Sequence, residues 1–243
     1  MNTAFYTASA GVIYLQKSMD VTANNIANTA TPGFKTSASS FSDLLYSNIH
    51  RGQDELTNNL KIGHGVRLSD VTLQLNQGAL QPTDRELDFA IVGEGFFAVE
   101  NANGERFYTR SGNFYVKLED DIAYLATASG DYILSPDESR IELNPSGGTM
   151  LELEDMVSRI GIFIFANPYA LSQEGSNYYA ATDGSGEAVL SEDYTLKQAF
   201  IESSNAEMSK EMVDVIATQR AFQFNARVVQ AADELQATVN NLR

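Results

Sequence analysis

From Glu187 to Arg243 the chain contains neither glycine nor proline, and no other feature constrains the fold as much. A run without a breaker can become one long helix. Within it Met208, Val215, Phe222 and Val229 fall seven apart, with Met212 and Ala226 between them and Gln219 as a polar interruption. Ser204 followed by Glu207 matches a capping box and predicts a helix from about Asn205 to Asn241. At 1.5 Å per residue that helix is roughly 55 Å long, more than one small core can cover. The N-terminus repeats the pattern. Phe5, Val12, Met19 and Ile26 recur every seven residues, with Ala8 and Leu15 between them, and Thr22 and Thr29 weaken the later positions. Two narrow stripes so far apart in sequence predict helices that pair with each other and with neighbouring chains.

The first helix runs into "NNIANTATPGFK", Asn24 to Lys35. Asparagine amides compete for nearby backbone groups, so Asn24, Asn25 and Asn28 are poor in a helix interior. Pro32 disfavours helix at Thr31, and Gly33 permits a turn of either hand. A turn alone accounts for Pro-Gly. It leaves the asparagines, whose amides can bond across a helix–helix seam.

Between the ends the pattern changes to strands and turns. "GFFAVENANGERFYTR" predicts a hairpin, Phe96 to Val99 and Arg106 to Arg110, closing on Asn103-Gly104. In "RIGIFIFANP", Ile160, Ile162 and Ile164 share one face and Phe163 and Phe165 the other, which predicts a strand buried on both sides. Tyr178-Tyr179, Ala188 to Leu190 and Thr195 to Phe200 are further candidate strands. The fold class expected is α+β: a mainly-β central domain inserted between N- and C-terminal helices that form a coiled-coil-like inner layer. The expected divisions are 1–45 helix and turn, 46–80 extended connector, 81–200 β-rich outer domain, and 201–243 C-terminal helix.

Charge follows the same partition. Of the formal net charge of −16, residues 1–50 contribute nothing, 51–200 carry −14 and 201–243 carry −2. An acidic middle repels phosphate backbones, which argues against nucleic acid. It also predicts that the middle faces water while the ends face protein. No cysteine is present, so disulfides, thiolate metal sites and cysteine nucleophiles are excluded. His50 and His64, both in polar stretches, make a poor start for a metal site. No apolar run is long enough to insert in a membrane. The first lysine, Lys17, lies behind the early apolar positions, the wrong order for a cleaved secretory signal.

An enzyme reading has little to stand on. The pairs in Glu119-Asp120-Asp121, Glu154-Asp155 and Glu192-Asp193 are adjacent residues, which point to opposite faces of a strand. Gly93-Glu94-Gly95 lacks the third glycine of a dinucleotide loop. Asp183 with Glu187 offers too few ligands for calcium. No cofactor is expected. A binding module or adhesin with helical oligomerisation ends fits the surface composition but not heptads at both termini.

Four segments, in order along the chain, carry a resemblance. "ANNIANTATPGFK" (23–35) closely resembles the N-terminal signature of flagellar basal-body rod and hook proteins. "LDFAIVGEGFFAVENANGERFYTRSGNF" (87–114) and "RIGIFIFANPYAL" (159–171) resemble the central domain of that family. "ESSNAEMSKEMVDVIATQRAFQFNARVVQAADELQATVNNL" (202–242) is similar to its C-terminal helix. Within the family, "FYTASAG" leans toward the FlgF branch, while "KIGHGVRLSD" and "LNQGALQPTDRELDFAI" lean toward FlgG. Between Tyr46 and Gly63, where distal-rod proteins can carry an extra stretch, this chain has only "SNIHRGQDELTNNLKI".

The resemblance implies a structural subunit of the rod, the drive shaft between motor and hook, polymerising helically with no catalytic residue. Implied partners are further copies of the chain, other rod and hook proteins, the flagellar type III export apparatus, and ring or bushing proteins around the rod. The implied location is the basal body outside the cytoplasmic membrane, reached without a cleaved signal. Residues expected at assembly interfaces are Phe5, Val12, Leu15, Met19, Ile26, Met208, Met212, Val215, Phe222 and Val229. Asn24, Asn25, Asn28, Pro32, Gly33 and Phe34 are expected at the joint between the helical layer and the outer domain.

Overall fold

The computed structural model describes residues 3–48, 61–143, 157–191 and 194–242. His50, the pairs Glu154-Asp155 and Glu192-Asp193, and most of the stretch 47–62 lie outside the described residues. The chain forms two compact units: unit 1 is Met1–Ala27, Ser37–Leu73 and Glu207–Arg243, and unit 2 is Asn28–Thr36 and Gln74–Ala206.

Unit 1 is built on helices α1 (Thr3–Ala27) and α2 (Met208–Asn241), which lie against each other. Strand β1 (Ser37–Asp43) pairs with β4 (Val66–Leu73), and β2 (Tyr46–Asn48) pairs with β3 (Lys61–Gly63), so three paired strands fall within the described part of the expected connector. Two contacts set the helix register. Asn25 Nδ2 donates to Glu211 Oε2 at 3.2 Å, and a Cβ on Gly11 would stand 3.3 Å from the Asn225 side chain. Asn25 and Gly11 are as far apart in α1 as Glu211 and Asn225 are in α2, so the helices run antiparallel in step. On that register α2, with 34 residues against 25, continues past the described start of α1.

The capping box is not formed. Glu207 occupies the N-cap in an extended conformation with no side-chain cap bond. The Ser204 hydroxyl instead accepts from Ala206 N. The helix begins at Met208 rather than Asn205 because bonds made by Asn205 hold that stretch extended, as described below.

Unit 2 contains a nine-stranded antiparallel sheet. Its backbone is the hairpin of β7 (Phe96–Glu100) and β8 (Arg106–Thr109). Strand β5 (Leu80–Pro82) and strand β6 (Phe89–Val92) precede it and pair outside the large sheet. The sheet continues through β9 (Tyr115–Glu119), β10 (Ile122–Ala126) and β11 (Tyr132–Ile133) to the short β12 (Ile162–Ile164). It is completed by β13 (Ser172–Gly175), β14 (Tyr178–Ala180) and β15 (Val189–Leu190). Phe89, Ile91, Phe97, Val99, Phe114, Leu125, Ile133 and Ile160 belong to one buried cluster, with Phe97 set edge-on to Phe114 at 5.0 Å.

Strand β12 lies between β7 and β15. Ile160 and Ile162 on one face and Phe163 and Phe165 on the other are buried as expected, and Ile164, at the end of the strand, departs from the pattern at 37% exposed. The expected strand Thr195–Phe200 is two: β16 (Thr195–Gln198) pairs with β6, and β17 (Phe200–Glu202) pairs with β5. Ala199 makes the corner with φ 56°. A left-handed conformation costs a residue with a Cβ about 1–2 kcal/mol, and glycine gives back roughly half to one in backbone entropy. Ala199→Gly is therefore expected to raise unit 2 stability by up to about 1 kcal/mol, read as a higher urea midpoint. A lower midpoint would mean the corner is unstrained.

Candidate functional site

The face between α1 and α2 is lined by small and polar side chains. On α1 the buried residues are Ala8, Gly11, Ser18, Thr22 and Asn25, with Leu15 half-buried among them. They follow a three-four spacing along one line of the helix. On α2 the matching line is Glu211, Val215, Thr218, Phe222, Asn225, Val229 and Ala232. Small residues let the backbones approach, and Gly11 shows how closely. The apolar heptad at Phe5, Val12, Met19 and Ile26 stands beside this seam, partly covered, with Phe5 at the limit of exposure. Met208 and Met212 are exposed, at 41% and 52%. Hydrophobicity alone selects those positions, whereas close packing selects their smaller neighbours.

Asn25 is the polar fixed point of unit 1. Its amide nitrogen donates to Ser37 O at 2.9 Å and to Glu211, and its oxygen accepts from Ser37 N at 3.0 Å. One buried side chain thus ties α1, the start of β1 and the first turn of α2. Higher up, Ser18 and Ser39 join their hydroxyls at 2.7 Å. Losing a buried bond of this kind costs roughly 1–3 kcal/mol.

The rest of α2 is unlike the surface of an isolated protein. Val213, Ile216, Phe224, Val228, Leu235, Val239 and Leu242 are 46–84% exposed and recur along one face. An exposed row of large apolar side chains of this length, interrupted by Arg220 and Arg227, is a binding surface or an aggregation hazard. Val228, Leu235 and Leu242 fall seven apart, while Val213, Ile216 and Phe224 lie off that register, so the row as a whole follows the period of a straight helix more nearly than a heptad.

Unit 2 gathers three chain segments and the Arg110 side chain in a second polar centre. Lys35, at the end of the asparagine-rich turn, is fully buried and ion-paired with buried Glu202. Its ammonium also donates to Asn76 O at 2.9 Å. Gly78 N donates to the same carboxylate at 2.8 Å, and Gly33 N donates to Glu202 O at 2.7 Å. Arg110, also buried, reaches Glu202 Oε2 at 3.5 Å and Gly93 O at 2.8 Å. Its Nε has no hydrogen-bond partner among the described residues. Asn205 completes the group: its oxygen accepts from Thr36 N at 2.8 Å and its nitrogen donates to Gln74 O at 2.7 Å and Asn76 O at 3.1 Å. Burial pushes the Lys35 ammonium below the usual lysine range, against the opposing pull of Glu202. Burial likewise lowers Arg110, and it raises the neighbouring Tyr179 phenol.

The joint residues are placed around this clasp. Gly33 has φ 69°, and a Cβ there would stand 2.5 Å from Ser111 N, so the turn needs glycine twice over. Pro32 O accepts from Asn177 Nδ2 at 2.9 Å, and Phe34 O accepts from Asn205 N at 3.3 Å. The Phe34 ring is only half-buried; the anchor of the segment is Lys35. Asn28 closes the turn, its side-chain oxygen accepting from Thr31 Oγ1 at 3.1 Å, and Asn24 is exposed on α1. Lys35, Arg110, Glu202, Asn205 and Glu211 were not among the expected site residues. No sequence period marks a charged pair 167 positions apart.

The carboxylates proposed by an enzyme reading have structural positions. Asp120 and Asp121 form the two-residue turn between β9 and β10, with φ 50° and 65°. Glu119 accepts from the Tyr132 hydroxyl. His64 lies 3.0 Å from the Ser47 hydroxyl. No group of three acidic or histidine side chains is arranged for a metal ion among the described residues, nor is any described helix long and apolar enough to cross a membrane.

Comparison with known proteins agrees along the whole chain. Residues 5–35 match the family described as flagella basal body rod protein. Residues 90–162 match the flagellar hook protein FlgE/F/G D1 domain, and 197–242 match the flagellar basal body rod FlgEFG protein C-terminal family. The flagellar basal-body rod protein FlgG of Borreliella burgdorferi is 32% identical over 100% of this chain and 99% of its own length. FlgG of Bacillus subtilis is 31% identical over 100% of both. The flagellar hook-basal body complex protein FlhP of Bacillus subtilis is 28% identical over the same extent. With its ends, its β-domain and its full length all matched, the chain belongs to the flagellar basal-body rod protein family.

Proposed function

We propose that this chain is a structural subunit of the flagellar basal-body rod, polymerising helically into the shaft that carries motor torque to the hook. The observation that carries the reading is the apolar face of α2, which α1 and the other described elements of unit 1 leave exposed. Its natural cover is the helical layer of neighbouring subunits. A heterologous contact that does not close on itself generates an open helical filament. On this reading Phe5, Val12, Met19, Ile26, Met208 and Met212 lie at or near contacts between subunits. Leu15, Val215, Phe222 and Val229 hold the pair of helices within one subunit. Asn24, Asn25, Asn28, Pro32, Gly33 and Phe34 set the path of the chain at the joint.

The role needs no reactive group, so no catalytic residue or cofactor is assigned. Partners are further copies and other rod and hook proteins in the basal body. Passage through the type III export apparatus without a cleaved signal, a position outside the cytoplasmic membrane, and contact with a ring or bushing follow from the same reading. The binding-module alternative leaves the α2 face without a purpose. Deleting the gene and imaging basal bodies tests the proposal: rods should be missing or truncated, and the wild-type gene should restore them. Complete rods in the deletion strain would overturn it.

A further inference from the structure

The clasp in unit 2 joins three segments that are remote in sequence: Gly33–Thr36, Gln74–Gly78 and Phe200–Asn205. Each supplies what another lacks. Lys35 brings a buried cation, Glu202 the carboxylate that neutralises it, and Gln74, Asn76 and Gly78 the backbone groups that complete both. Unlike the buried apolar cluster around Phe89 and Phe97, the clasp is held by charge and hydrogen bonds. Gln77, in the second segment, links the two, its amide nitrogen donating to Ile91 O at 2.8 Å.

We propose that the clasp is an interlock by which the N-terminal joint reads the completeness of the chain: Gly33–Thr36 docks on the rest of unit 2 only when Phe200–Asn205 is already seated. Without Glu202, docking Lys35 would bury its ammonium near the Arg110 guanidinium with no carboxylate paired to it, and a buried charge left unpaired is strongly destabilising. Thr36 N would also lose its acceptor, and Gly33 N its carbonyl. A chain stopped before residue 200 therefore keeps its joint open even with the β-sheet core formed. The dependence is mutual, because coupling free energies are reciprocal. This inference stands independently of the rod reading, since it concerns one chain in solution.

Native-state hydrogen exchange on the full-length chain tests it. In Glu202→Gln, peptides covering 33–36 and 74–78 should exchange at least tenfold faster than in wild type. Peptides covering 96–100 and 122–126, whose amides are held by strand pairing in the sheet, should be unchanged. Asn205→Ala, which leaves the ion pair intact, should loosen the same two segments together by a smaller factor. Retained wild-type protection at 33–36 in Glu202→Gln would overturn the interlock. Equal loss of protection in the core peptides of both variants would overturn it too, because the clasp would then be inseparable from the fold.

Discussion

Cells whose only copy of the gene carries Phe224→Asp are expected not to swim, while the purified chain keeps its helix content and thermal midpoint. Phe224 is 65% exposed, in the middle of the apolar face of α2. In one chain the substitution changes little beyond helix propensity, a few tenths of a kcal/mol. In a dry contact between subunits it leaves a polar group without a partner, which costs roughly 2–7 kcal/mol. At 1.4 kcal/mol per factor of ten in association, even the low end exceeds tenfold at each contact, and a polymer repeats the loss in every subunit. Phe222→Asp, two residues away on the covered line of α2, is the informative contrast: it should weaken the α1–α2 pair in the free chain as well. Normal swimming with Phe224→Asp would show that this face is wet in the rod.

That contrast also shows what the sequence could and could not reveal. The two helices, the hairpin closing on Asn103-Gly104 and the β-rich middle follow from periodicity and turn chemistry, because each signal is local. Which line of α1 meets α2 does not follow. The apolar heptad at Phe5, Val12, Met19 and Ile26 is the stronger pattern, yet Ala8, Gly11, Ser18, Thr22 and Asn25 are the residues covered. Hydrophobic pattern reports the sum of all burial, within the chain and between chains, whereas close approach within one chain favours small side chains. The capping box at Ser204 and Glu207 failed for a different reason. Asn205 is engaged by Thr36, Gln74 and Asn76, none of them near it in sequence. The clasp itself is invisible to a local reading: Lys35 looks like an ordinary surface lysine after a turn, and Glu202 like one more carboxylate in an acidic chain.

Gly33→Ala is expected to release the asparagine-rich turn from the rest of unit 2 and to stop rod assembly while the β-sheet core stays folded. Gly33 meets two separate constraints. Its φ of 69° costs a residue with a Cβ about 1–2 kcal/mol. The added methyl would lie 2.5 Å from Ser111 N and 2.6 Å from Arg110 C, which are backbone atoms and cannot swing aside. Relief requires either the turn or the Arg110–Ser111 backbone to move. The turn has the weaker hold, since the strand before Arg110 is paired on both sides. Once the turn lifts, Gly33 N leaves Glu202 O and Lys35 is drawn out of its buried pair. Two measurements on one variant separate the steps. Thermal unfolding of the β-domain should be close to wild type, while limited proteolysis should cut between residues 28 and 36 faster than in the wild-type chain. Basal bodies from the same strain should then lack a complete rod although the subunit is present in the cells. A turn as resistant as wild type would mean that the backbone at Ser111 yields instead, and the rod should then assemble.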